Sequence, residues 1–509
     1  MALITLAVAS IAITHLLMWI PSLIRWFKER IRVICSVDSL PGPPALPLIG
    51  CTHKFSFDSY KFTYFMEDIF ERYSDGLNGN GMFRLWIGPV PVVCICRADA
   101  AKMISAWDLE SNKEISKPQE GYTRLQEWLG RGLLTSNGER WRAKRKMLTP
   151  AFHFSILKDF MPIFNKEAAI LVDQFRRLSD TGGTADVFPL IKLCTLDVIC
   201  ESAMGVNIRA QSGQNKNYVN SVKEVCELLW DRERLPWLWP TPLWILSGKA
   251  TRLQKALNTV QGFTREVIAK RKKVFELEGR DLSKKPAFLD LLLEMQQANR
   301  LTDDDIREEV DTFMFEGHDT VASALGYALF CLGNYPEEQE KLYQEVKEVI
   351  GPVDRELTYD DLLQLKQTEK VLKEALRVFP PVPMIARRLH DDVNVGGITI
   401  PAGVTTLVIP FGTHRDPKYF ERPRDFWPDH FDAESCANRS AYAFIPWSAG
   451  PRNCIGQRFA VMEEKLLLAR LVRQFRFRAT MTFAENRGLP EMILRPSNGI
   501  PLIIEKRAE

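Results

Sequence analysis

Cys454 lies in the run Trp447-Ser448-Ala449-Gly450-Pro451-Arg452-Asn453-Cys454-Ile455-Gly456. Gly450 and Gly456 permit backbone conformations and close approaches that a Cβ forbids. A helical pattern begins directly after the cysteine, so its sulfur stands near a helix N-terminus. The dipole and backbone N–H groups there stabilise a thiolate. The same N–H groups limit donation from sulfur and so tune a bound metal. An inert cysteine in a turn would need neither the two glycines nor Arg452. A single thiolate ligand to a metal accounts for them.

Three further groupings carry chemistry. Glu374 and Arg377 are three apart, on one face of a helix. Alone such a pair is usually a solvated contact, but here a proline-rich run, Phe379 to Pro383, and then Arg387 follow it. A long helix is predicted over about 302–334, started by Thr302 and three aspartates and ended by Asn334-Tyr335-Pro336. It contains Glu316-Gly317-His318-Asp319-Thr320. Gly317 is expected to weaken a mid-helix hydrogen bond and admit a flat ligand or dioxygen. An acid beside an alcohol, Asp319 and Thr320, can relay protons to a metal centre. Finally, Trp141 and Arg145 share a helical face. Arg140, Lys144 and Lys146 read as a basic docking face for an acidic electron-transfer partner, while Arg142 reads as merely solvated.

Taken together, these segments resemble the cytochrome P-450 haem-thiolate monooxygenases, whose haem loop follows F-x-x-G-x-R-x-C-x-G. Trp447 replaces the usual Phe, and ligation is expected to survive with a changed potential. The resemblance implies the cytochrome P-450 fold and haem b with Cys454 as the axial thiolate. Such a ligand pushes electron density toward dioxygen and favours O–O cleavage. It implies that Trp141, Arg145, Arg387 and Arg452 hold the haem propionates. Glu374 and Arg377 would brace the haem side together with a third residue, usually Arg. That position is His430 here, in Phe426-Trp427-Pro428-Asp429-His430-Phe431. Imidazole lacks the guanidinium fork, so a weaker brace is expected, and His430→Arg is expected to raise stability and haem occupancy. The run Phe313 to Thr320 looks like the fatty-acid ω-hydroxylase branch, the fourth family. There the glutamate at Glu316 can esterify a haem methyl. Val321 stands where a second Thr or Ser is common.

The elements that position these residues follow from pattern. Helical periodicity dominates 100–380 and 454–475, with short β-rich runs at 82–96, at 393–409 and after 476. The fold class is mainly α with small β-sheets. Residues 207–220 and 272–286 read as surface loops. Residues 2–24 carry no formal charge and are long enough for a transmembrane helix. Arg25, Lys28, Arg30 and Arg32 follow, which places the rest of the chain on the cytosolic side. The expected organisation is an anchor at 1–24, a basic and Pro-rich hinge at 25–45, and a catalytic domain at 46–509. Residues 230–244 hold four tryptophans and three prolines. They read either as a loop dipping into the bilayer near a lipid entrance or as a packed aromatic cluster.

Composition excludes other classes. Lys and Arg total 67 against 64 acids, so the net charge is +3, too balanced for a whole-chain nucleic-acid binder. Ten cysteines without C-x-x-C spacing exclude a zinc knuckle and make a disulfide framework improbable. No nucleotide fingerprint follows a strand, so electrons must come from outside the chain. The resemblance implies NADPH-cytochrome reductase as donor, cytochrome b5 as an optional second one, dioxygen, a fatty acid or similar lipid, and the endoplasmic reticulum membrane. The rival readings are a haem-thiolate isomerase or dehydratase, which Asp319-Thr320 disfavours, and a non-catalytic haem sensor.

Overall fold

Thr302 starts the longest internal helix through a capping box: Thr302 Oγ1 accepts the Asp305 N–H, and Asp305 Oδ2 accepts the Thr302 N–H, each at 3.1 Å. The helix runs Asp303–Asn334, and almost every side chain from Val310 onward is buried. The computed structural model describes residues 2–76, 79–110, 115–116, 119–278 and 287–507, with only the backbone for 2–18 and 105–121.

The helices that position the site are α1 (Ala2–Asp38), α2 (Gln119–Leu129), α3 (Gly138–Leu148), α4 (Phe188–Ser202) and α5 (Lys216–Arg234). They continue with α6 (Thr241–Leu246), α7 (Lys249–Glu278), α8 (Asp303–Asn334), α9 (Lys366–Val378) and α10 (Gln457–Gln474). Helix α8 runs through the core, with α4 packed along it. A Cβ at Gly317 would stand 2.7 Å from Cγ1 and Cδ1 of Ile199 on α4. The glycine is therefore explained by this close crossing, and α8 continues through it as regular helix, contrary to the weakening expected from sequence.

Among the described residues the strands form four small sheets. The largest is β1 (Met82–Ile87), β2 (Val90–Ile95), β3 (Ile115–Ser116), β5 (Ile385–Leu389) and β8 (Thr405–Val408), in the order β1-β2-β8-β5-β3. Only β2 and β8 pair in parallel, with Val93 opposite Thr406. Gly88, at φ 58°, and Pro89 form the two-residue turn of the β1–β2 hairpin. The others are β6 (Val393–Val395) with β7 (Ile398–Ile400), β10 (Gly488–Pro490) with β11 (Leu494–Pro496), and β4 (Thr184–Asp186) and β9 (Phe475–Ala479) on either side of β12 (Pro501–Lys506). The β-rich runs read from sequence are therefore present.

Three boundaries differ from expectation. Residues 25–38 are not a hinge but the end of α1, bolted to the body. Val37 is buried, Arg32 pairs with Asp392 at 2.6 Å, and Ser36 Oγ donates to the Thr399 carbonyl. Irregular backbone starts only at the proline-rich stretch. Residues 216–220 belong to α5 and 272–278 to α7, because charged residues on an exposed helical face mimic loop composition. The side chains of residues 1–18, most of the expected membrane span, lie outside the described residues. Among those described, no helix is long and apolar enough to cross a membrane.

Candidate active site

Helix α10 begins after Gly456, and the loop before it is fixed by its own amides. Ser448 N donates to the Ile445 carbonyl, Asn453 N to that of Gly450, and Cys454 N to that of Trp447. Ser448 takes a positive φ of 61° and Gly450 one of 71° to make this turn. Cys454 lies deep within the molecule, yet its surface is accessible. The two facts agree only if it borders an internal recess. Burial pushes its thiol up to about 12, Glu316 adds to the rise, and the Gly456 N–H and Arg145 oppose it. A bound cation reverses such a shift by taking the thiolate as ligand.

Helix α8 turns one accessible strip toward this recess. Glu316, Gly317 and Thr320 are partly exposed, whereas the flanking residues are buried. Thr320 Oγ1 donates to the Glu316 carbonyl at 2.6 Å. Asp319 does not join Thr320. Its carboxylate lies in a buried cluster with Lys192 Nζ at 2.5 Å and Arg495 Nη2 at 3.0 Å. Burial raises the Asp319 carboxyl, but Lys192, Arg495 and His318 outweigh it and hold it well below the usual carboxylate range. Adjacent residues on a helix point about 100° apart, which is why the pair in sequence is not a pair in space.

The basic residues converge on the cysteine loop. Arg145 donates to the carbonyl and Oδ1 of Asn453 at 2.7 and 2.8 Å. Arg452 stacks over Trp141, 4.1 Å from its centroid, and donates to Asn137 Oδ1. Arg387 donates to the Ala386 carbonyl and, at 3.4 Å, to Ser448 Oγ. These contacts orient the guanidiniums around the cysteine loop. One sulfur facing a recess, ringed by guanidiniums, suits a flat iron macrocycle with acidic substituents, and the residues present fit haem. Lys144 leaves the expected docking face: it is buried, 2.6 Å from Glu309, and Arg140 pairs with Asp305 at 3.0 Å.

Behind the loop, Glu374 and Arg377 are fully buried. Arg377 Nε and Nη2 reach the two Glu374 oxygens at 2.8 and 2.7 Å, and its remaining donors reach the carbonyls of His414, Pro423 and Asp425. His430 Nδ1 lies 3.0 Å from Glu374 Oε1, and its Nε2 meets the Glu421 carbonyl. The brace is therefore complete, against expectation, because a short ring with two nitrogens spans both acceptors. Sequence reading missed His414. Its Nε2 accepts the Ile445 N–H at 2.9 Å, and its only sequence signal was its place in His414-Arg415-Asp416-Pro417.

The Cytochrome P450 family model matches residues 40–503. The chain is 43% identical to Cytochrome P450 4V2 of Mus musculus over 99% of this chain and 95% of that protein. It is 38% identical to Cytochrome P450 4c3 of Drosophila melanogaster, over 95% and 92%. It is 40% identical to Cytochrome P450 4F1 of Rattus norvegicus, over 83% and 82%.

Proposed function

The chain belongs to the cytochrome P450 family, within its fourth family, as a haem-dependent monooxygenase, and on that premise we propose that it hydroxylates fatty acids or similar lipids at or near the terminal carbon. The observation that carries this reading is Glu316, on the accessible strip in the middle of α8 and within electrostatic reach of Cys454. Haem, when bound, supplies reductive activation of dioxygen and insertion of one oxygen atom into an unactivated C–H bond.

This chain's residues position and protect that chemistry. Cys454 would hold the iron through its sulfur. Arg145, Arg387, Arg452 and Trp141 hold the propionates, the guanidiniums by charge-assisted hydrogen bonds. Thr320 would deliver protons to that chemistry, and Asp319 would support it through the Lys192–Arg495 cluster, which fixes α8 against α4 and β11. Glu316 would tie down the macrocycle through an ester to one of its methyl groups, whose C–H bond is lost as a proton and two electrons that dioxygen turnover accepts. A fixed macrocycle narrows the recess so that a chain end enters before a methylene, which offsets the greater strength of primary C–H bonds.

Exposed apolar side chains support residence on a membrane. They cluster at Trp19 to Ile31 on α1, at Leu46 to Ile49, at Phe57, and at Leu243, Ile245 and Leu246 of α6. Leu243 lies within the tryptophan-rich segment and Ile245 and Leu246 follow it; of its rings Trp244 is buried, while Trp237 lies 4.8 Å from the exposed Phe57. We place the protein on the endoplasmic reticulum with its catalytic domain in the cytosol, served by NADPH-cytochrome reductase, with cytochrome b5 as an optional second donor.

The test is denaturing electrophoresis of active enzyme with haem detection, beside lipid product analysis. Haem should stay with wild-type chain and leave Glu316→Ala, and the variant should shift hydroxylation inward from the chain end. Freely extractable haem in active wild type removes the argument for terminal selectivity.

A further inference from the structure

Helix α2 and the end of α5 exchange two ion pairs. Arg124 Nη1 meets Glu233 Oε2 at 3.0 Å, and Arg232 Nη1 meets Glu127 Oε1 at 3.0 Å. Arg124 also donates to the Arg232 carbonyl at 3.2 Å. Each guanidinium faces a tryptophan of the 230–244 segment, Arg124 over Trp239 at 5.4 Å and Arg232 over Trp244 at 5.0 Å. Two cations are thereby held side by side, oriented by aromatic faces and balanced by two carboxylates.

Their place in the fold gives them a task. Outward lies α6, with Leu246 81% exposed. Inward, α2 reaches the site itself. Trp128 packs 4.5 Å from Phe315 on α8 with the rings tilted by 45°, and Tyr122 lies within electrostatic reach of both Glu233 and Glu316. The C-terminal end of α2 is fixed, because Gln261 Nε2 donates to the carbonyls of Glu127 and Trp128 at 3.1 Å. The ion pairs therefore adjoin both α6 and the part of α2 that lies within reach of Glu316.

We propose that Arg124 and Arg232 form the headgroup subsite: a lipid carboxylate takes the place of Glu127 beside these guanidiniums while Glu233 stays on Arg124, and its alkyl chain runs beneath α2 toward Glu316. The proposal rests on the fatty-acid reading above. Glu127 is the most exposed member of the two pairs, 44% accessible, so it can exchange its place for another carboxylate and turn to water. An arginine carries five donors in a fork suited to a carboxylate. Arg232 Nε is buried with no hydrogen-bond partner among the described residues, so a donor remains for the incoming group. An alcohol or ester cannot replace a glutamate charge for charge and leaves both pairs intact. Length selection follows, since the distance from this subsite to Glu316 sets which chain end reaches the iron.

The test uses the full-length holoenzyme and the optical shift of its haem on titration with a saturated fatty acid, its methyl ester and its alcohol, all of one chain length. Wild type should bind the acid about tenfold more tightly than the ester. Arg124→Gln and Arg232→Gln should erase that preference and leave ester affinity unchanged, which also reports an intact fold. Glu127→Gln should tighten acid binding severalfold, since it removes a competitor for Arg232; a purely structural latch would weaken it. Equal binding of acid and ester by wild type overturns the subsite and leaves the lipid reading standing, as does a preference that survives Arg124→Gln and Arg232→Gln. No shift with any of the three lipids overturns both.

Discussion

Arg377 Nη1 donates to the carbonyl of His414 at 3.0 Å. The other end of His414 accepts the Ile445 amide, and Ile445 in turn accepts the Ser448 N–H within the cysteine loop. The Glu374–Arg377 pair therefore braces the loop through one histidine.

Arg377→Lys should break this connection. An ammonium cannot serve two carboxylate oxygens and three carbonyls. Removing a member of a buried charge network costs about 3–5 kcal/mol. The variant should lose thermal stability and haem together, read as melting midpoint and haem per chain. His414→Ala should lose haem with a smaller fall in the midpoint.

His430 should behave as a filled position. Its ring already bridges Glu374 and the Glu421 carbonyl. His430→Ala strands buried acceptors and should cost about 1–3 kcal/mol. His430→Arg should now bring no gain in melting midpoint, the reverse of the expectation from sequence.

Glu464 should make stability fall as pH rises. Its oxygens are buried without hydrogen-bond partners among the described residues, and burial pushes its carboxyl from 4.5 to about 8. Between these values the folded state holds a proton that the unfolded chain releases. Stability from this group is thus full below 4.5 and is lost as pH climbs toward about 8. Glu464→Gln should raise stability by on the order of 3 kcal/mol at pH 7. Melting curves across pH should show the gain vanish in mild acid.

Lys144 and Arg142 should separate folding from docking. Lys144→Gln leaves Glu309 unpaired in the core and should cost about 3–5 kcal/mol. Arg142→Gln alters an exposed helix face and should stay within about 0.5 kcal/mol. Urea unfolding of the two variants compares them directly.

The residues that make chemistry were legible because spacing constrains them. The glycines around Cys454, the i,i+3 pair Glu374–Arg377 and the capped helix after Thr302 each leave a local pattern. What failed to show is what depends on direction between elements. Asp319 turns from Thr320 because its partners come from α4 and β11. Lys144 reads as a docking cation until α8 supplies Glu309. Gly317 reads as a ligand approach, and its cause is Ile199 on another helix. Arg124, Glu233, Arg232 and Glu127 have no spacing in common and meet only when α2 and α5 pack.

The central claim is that Cys454 gives its sulfur to haem iron. Absorption of the reduced carbon monoxide complex, with wild type beside Cys454→His, tests it most directly. Wild type should show the red-shifted band of a thiolate-bound haem, and the variant the band of an imidazole-bound one. An imidazole-type band in well-folded wild type, or a thiolate-type band in Cys454→His, would contradict it.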